Sequence, residues 1–120
     1  MREILFRGKD IAGDWHYGVP LVFIDDFVCI TAPHTYNKAV IPETVGQYTG
    51  LHDKNGKKIF EGDIVRYNDN SPCKIEYIDC QFAMMWEKFY RDFEDVYDHD
   101  IEVIGNIHDN HELLKGGEQE

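Results

Sequence analysis

The chain is short of serines, paired cysteines and long apolar runs, and one stretch has no basic residue at all; each shortage removes a class of function. Ser71 is the one serine in 120 residues. It stands in Asn70-Ser71-Pro72, a turn without the glycine-flanked elbow that presents a hydrolase nucleophile. Cys29, Cys73 and Cys80 form no C-x-x-C pair, so neither a disulfide framework nor a zinc ribbon is expected. None has the local basic setting that favours a thiolate, and reduced, partly buried thiols are the simpler reading. No G-x-G-x-x-G or P-loop occurs, so phosphates lack their usual glycine cradle. The longest apolar stretch, Val19 to Ile24, is interrupted by Pro20 and falls far below the roughly 20 residues that cross a bilayer. Near the N-terminus, charges flank only three apolar residues, Ile4-Leu5-Phe6, too few for a signal-peptide core. A cytoplasmic protein with no membrane partner, no cofactor and no enzymatic activity is expected.

What the chain does have is aromatic residues, at 13% of a composition that is 42% hydrophobic. Aromatics bury a large area each, so a chain this short still builds a core. Charge is unevenly placed. Residues 1–60 carry seven basic and seven acidic side chains, whereas residues 61–120 carry five and sixteen, so the whole net charge of −11 sits in the second half. Its densest part is Asp92 to Glu102, with six carboxylates and no Lys or Arg. Phosphate binding needs the opposite sign, because affinity comes from cations that displace counterions.

Short β-branched and aromatic runs broken by Gly, Pro, Asn and Asp predict a mostly β fold. Strands are expected at Glu3 to Arg7, Trp15 to Ile24, Phe27 to Thr31, Val45 to Leu51, Lys58 to Phe60, Ile64 to Tyr67, Cys73 to Ile78, Phe82 to Trp86 and Ile101 to Ile107. Pro20 inside the second run implies an edge or a bulge, since proline donates nothing to a ladder. Ala32 to Pro42 reads as a loop. Asn55-Gly56, between two apolar runs, predicts a hairpin with a type I′ turn, or a slightly longer loop with a bulge. In Gly62-Asp63-Ile64-Val65 the aspartate is placed to cap the turn before a core strand. Asn110 is placed to cap a short C-terminal helical turn through Leu114.

Three stretches together resemble the YopX-like family of phage and prophage proteins. They are Arg2-Glu3-Ile4-Leu5-Phe6-Arg7-Gly8-Lys9; Pro42-Glu43-Thr44-Val45-Gly46-Gln47-Tyr48-Thr49-Gly50-Leu51, continuing through Asp53-Lys54-Asn55-Gly56-Lys57 to Glu61-Gly62-Asp63-Ile64-Val65; and Glu102-Val103-Ile104-Gly105-Asn106-Ile107. The resemblance implies a small, phage-encoded, all-β protein, with N-terminal strands and a hairpin packed with a C-terminal SH3-like barrel or roll. The expected organisation is a β-rich region over 1–57, the barrel region over 58–115 and a disordered acidic tail over 116–120. The family brings no catalytic residue to carry over. His108 and His111 stand where relatives more often have Tyr and Pro, so any role for them would be particular to this chain.

The sharpest candidate site is an acidic-aromatic surface over residues 89–102. Asp92, Glu94, Asp95, Asp98 and Asp100 supply the charge. Phe89 and Tyr90, then Phe93 and Tyr97, supply apolar anchors. Such a pattern suits a basic protein partner: complementary charge steers encounter while aromatics supply affinity. A phage protein of this kind would mimic the charge of DNA and block a host DNA-binding enzyme. The plainer alternative is a solvated loop whose aromatics plug the core. Strand edges pairing between copies would instead give a homo-oligomer. A second alternative is nucleic-acid binding through Lys54, Lys57, Lys58 and Arg66, an analogy with other SH3-like barrels. A third is a metal-dependent enzyme using His99, His108 and His111, of which the last two share a helical face if they lie in one helix. Against each stands an exposed polar surface. Asp98-His99-Asp100 in extended chain would point to alternating sides and would not converge.

Overall fold

The computed structural model describes residues 4–24, 27–31, 38–68, 70–78, 81–86, 90–92 and 100–114. The chain forms two compact units, Met1–Tyr48 and Thr49–Glu120. The division falls earlier than the 57/58 boundary read from the sequence, inside a strand that leads into the Asn-Gly hairpin. The described residues are mostly strand, and every pairing between strands is antiparallel.

In the first unit the strands are β1 (Phe6–Lys9), β2 (Trp15–Ile24), β3 (Phe27–Thr31), β4 (Lys38–Val40) and the first part of β5 (Gly46–His52). Their order is β4-β3-β2-β1-β5. The register of β2 against β3 shifts between Pro20 and Val22, so the proline sits at a bulge of an inner strand and not on an edge. Strand β1 starts later than Glu3 and includes Gly8. A Cβ on Gly8 would lie 2.6 Å from Val40 Cγ2 and 3.1 Å from Ile30 Cδ1. The glycine thus sits within the strand because it lets the core side chains approach the backbone. Val28, Ile30 and Val40 form that core, with Val45 packed against it.

Strand β4 corrects the loop expected over Ala32 to Pro42. Three residues are too few to show alternation, yet Val28↔Val40, Cys29↔Ala39 and Ile30↔Lys38 pair in register. A 3-10 turn over Pro42–Thr44 follows. It ties down the end of β1: the Lys9 N–H donates to Thr44 Oγ1 at 2.8 Å, and the Thr44 hydroxyl donates to the Ile41 carbonyl at 2.6 Å.

The second unit contains the rest of β5, with β6 (Lys58–Phe60), β7 (Asp63–Tyr67), β8 (Cys73–Ile78), β9 (Gln81–Met85), β10 (Tyr90–Asp92) and β11 (Ile101–Asn106). Strand β10 has no counterpart in the expected set. The sheet order β10-β9-β8-β7-β11 is open, and among the described residues no pairing joins β10 to β11. A roll, and not a closed barrel, is the right description. Ile59, Val65, Cys73, Ile75, Met84 and Ile101 are fully buried in its core, and each such aliphatic side chain contributes on the order of 1.5–3 kcal/mol by leaving water. On strand β8, whose sequence sets Ile75 and Tyr77 opposite Lys74 and Glu76, Ile75 is fully buried with Cys73, but Tyr77 is half-exposed and meets Phe82 edge-on at 4.9 Å. The Asp63 carboxylate is buried and accepts the Phe60 N–H at 2.7 Å, the local cap its position implied.

A single helical turn over 112–114 follows β11. Asn110 does not cap it with its side chain. Its Oδ1 turns back to accept the Asn106 N–H at 3.2 Å, filling the space beside Gly105, where a Cβ would lie 2.6 Å from that oxygen. Strand β11 carries a bulge between Val103 and Gly105, so the alternation that would set Ile101, Val103, Gly105 and Ile107 on one face is broken there.

Candidate binding surfaces

The acidic segment joins the two outer strands of the second sheet. Tyr90, Arg91 and Asp92 form β10, in register with Met85, Met84 and Ala83 of β9. On the far side, β11 begins at Ile101 and pairs with β7. Phe89, Phe93, Glu94, Asp95, Tyr97, Asp98 and His99 lie outside the described residues. Asp100 is half-buried, and its carbonyl accepts the Asn68 N–H at 2.9 Å. Glu102 stands directly across from Arg66 in the β11–β7 register, and its carboxylate lies 3.7 Å from Lys54 Nζ.

The outer edge of β11 is met by the tip of the β5–β6 hairpin. There the Lys54 N–H donates to the Ile101 carbonyl at 2.9 Å, and the Val103 N–H donates to Asp53 Oδ2 at 2.9 Å. Asp53 Oδ1 also accepts the Asn55 and Lys57 N–H groups, at 2.8 and 2.9 Å. Burial pushes this carboxyl up, but the backbone N–H groups of Val103, Lys57 and Asn55, with the charge of Lys57, outweigh it and hold the group below its usual 3.8. The loop closes through Gly56 N–H to Asp53 O at 3.0 Å and Asp53 N–H to Lys57 O at 2.8 Å, with Gly56 at φ +83. That is a type I turn followed by a bulge residue in the left-handed region, where glycine carries no steric penalty.

The same construction recurs in the first unit, and reading the sequence missed it. Asp10-Ile11-Ala12-Gly13-Asp14 repeats the spacing of Asp53-Lys54-Asn55-Gly56-Lys57. Asp10 Oδ1 accepts the Ala12 and Asp14 N–H groups, both at 2.9 Å, and Gly13 has φ +95. The remaining oxygen, Oδ2, lies 2.8 Å from His16 Nε2. That hydrogen bond, helped by the N–H groups of Asp14 and Ala12, lowers the Asp10 pKa from 3.8 to about 2. An aspartate three residues before a glycine, between two strand-like runs, is the signal that would have found it.

On β2, Trp15, Tyr17 and Val19 alternate with Gly18 and share one side of the sheet. Tyr17 is 48% exposed and Val19 45%. Across the β1–β2 ladder, Arg7 faces Tyr17 and Lys9 faces Trp15. The Arg7 guanidinium lies 4.7 Å and the Lys9 ammonium 5.9 Å from the Trp15 ring centroid, within cation–π range.

The reactive residue types are placed as follows. Cys73 is fully buried, and desolvation pushes its thiol up to about 12, which disfavours a thiolate. Ser71 offers its carbonyl to the Trp86 indole N–H at 2.9 Å. His108 lies in a turn before the terminal helical turn, so it and His111 do not share one helix. Among the described residues no group of three or more His, Cys, Asp or Glu side chains is placed to hold a metal ion. Likewise no helix among them is long and apolar enough to cross a membrane.

No curated protein matches the chain. It is similar over 95% of its length, at 30% identity and a TM-score of 0.64, to the crystal structure of protein EF1440 from Enterococcus faecalis, of which 99% is covered. The family described as YopX protein matches residues 23–115. With that match spanning most of the chain, and a solved relative over nearly all of it, the protein belongs to the YopX family.

Proposed function

We propose that the chain is a cytoplasmic phage or prophage accessory protein. It acts by binding a basic protein partner, not by catalysis, through the acidic-aromatic segment of residues 89–102. The observation that supports this is topological. The segment richest in carboxylates connects β10 and β11, the two outer strands of the second sheet, and outer strands are where backbone groups and side chains are open to another chain. The hairpin tip already occupies backbone groups of β11, whereas among the described residues β10 pairs with β9 alone. Negative charge beside such an edge speeds encounter with a cationic partner and repels acidic ones.

The test is capture of host-cell proteins by the wild-type chain and by a variant with Asp95→Lys, Asp98→Lys and Asp100→Lys. One basic protein recovered by the wild type alone, and released by moderate salt, is the expected result. Equal recovery by both chains would refute the surface. Recovery of nothing but further copies of the chain would replace partner binding with self-assembly.

A further inference from the structure

No further inference is drawn: the strongest candidate, the outward face of β2 where Trp15, Tyr17 and Val19 stand beside Arg7 and Lys9 of β1, is an exposed apolar sheet face, and nothing in the structure shows what covers it.

Discussion

Replacing Asp53 tests whether one carboxylate pins the hairpin tip to β11. In Asp53→Ala three backbone donors lose their acceptor: Asn55, Lys57 and Val103. Asn55 and Lys57 are exposed loop residues whose N–H groups turn to water, so each loss costs only about 0.5–1 kcal/mol. Val103 is half-buried and packs against the core. Its N–H, stranded without a charged acceptor, costs about 1–3 kcal/mol. The sum is about 2–5 kcal/mol. Asp53→Asn should fall between wild type and alanine, because one amide oxygen still serves the loop while the amide NH2 confronts the Val103 N–H.

The chain has two tryptophans, one in each unit, and Trp86 packs against the core of the second. Urea unfolding followed by Trp86 fluorescence in a Trp15→Phe background therefore reports the unit that holds Asp53. With a urea slope of about 1–2 kcal/mol/M for a unit of this size, the midpoint should drop by on the order of 2 M. Hydrogen exchange at the Val103 amide should accelerate in parallel. The pH dependence carries a definite sign. Asp53 has a folded pKa below 3.8, so below that pH the unfolded chain takes up the proton first. Its contribution is whole above pH 3.8 and disappears as pH falls through the folded value. Asp53→Asn should lack that acid-dependent component. An alanine variant within about 0.5 kcal/mol of wild type, or an unchanged Val103 exchange rate, would refute the pin; surface changes that touch nothing fall in that range.

Asp10 should titrate at about 2 by carboxyl-carbon NMR, and His16→Ala should move the midpoint up toward 3.8 by removing the largest cause; an unmoved midpoint would deny the His16 contact. Because the folded value is the depressed one, the stability Asp10 contributes is present above pH 3.8 and lost between there and about 2. Gly8→Ala, followed by Trp15 fluorescence in a Trp86→Phe background, should cost about 1–3 kcal/mol through overpacking, since the new methyl lies 2.6 Å from Val40; a neutral result would mean the sheet yields there without strain. Under native conditions Cys73 should resist alkylation long after half-buried Cys29 has reacted, as its thiol sits at about 12 in the core; comparable rates in peptide mapping would show that the second unit opens locally.

Runs rich in β-branched and aromatic residues were legible, as was the three-residue β6 beside its hairpin turn, whereas β4 and β10 were not. Strands β2, β3 and β8 run between the residues expected for them, because their β-branched and aromatic content exceeds what a turn tolerates. Strands β4 and β10 are three residues each. They exist by pairing with a neighbour in space, and no local pattern encodes that. The hairpin at Asn55-Gly56 was legible in place, and of the two turns its sequence allowed, the longer loop with a bulge is the one that forms. A type I′ turn needs positive φ at both central residues, and among the described residues Asn68 is the one non-glycine with positive φ. Asp53 decides the outcome, because its carboxylate holds the Asn55 and Lys57 amides in the bulged form. The candidate acidic surface was legible as charge alone, and most of its side chains lie outside the described residues. The structure adds its attachment to two outer strands, a long-range property that composition cannot contain.

That attachment also bears on the choice between a protein and a nucleic acid as partner. The cations offered for phosphate, Lys54, Lys57, Lys58 and Arg66, are not a patch of one sign. Glu102 stands across the ladder from Arg66 and within 3.7 Å of the Lys54 ammonium, so a carboxylate lies beside two of the four. A phosphate approaching there meets Glu102 as well as the cations, and fewer counterions are released than the count of lysines and arginines suggests. Glu102 is also the last carboxylate of the acidic run, so the negative segment reaches the site where a nucleic acid would bind. For a cationic protein the same geometry is favourable. The carboxylates of the run share one sign, Lys54 is already partly compensated by Glu102, and the outer strand β10 lies at the start of the run. Raising salt should then weaken capture of a basic protein, while removing Glu102 should strengthen whatever residual affinity the hairpin has for phosphate.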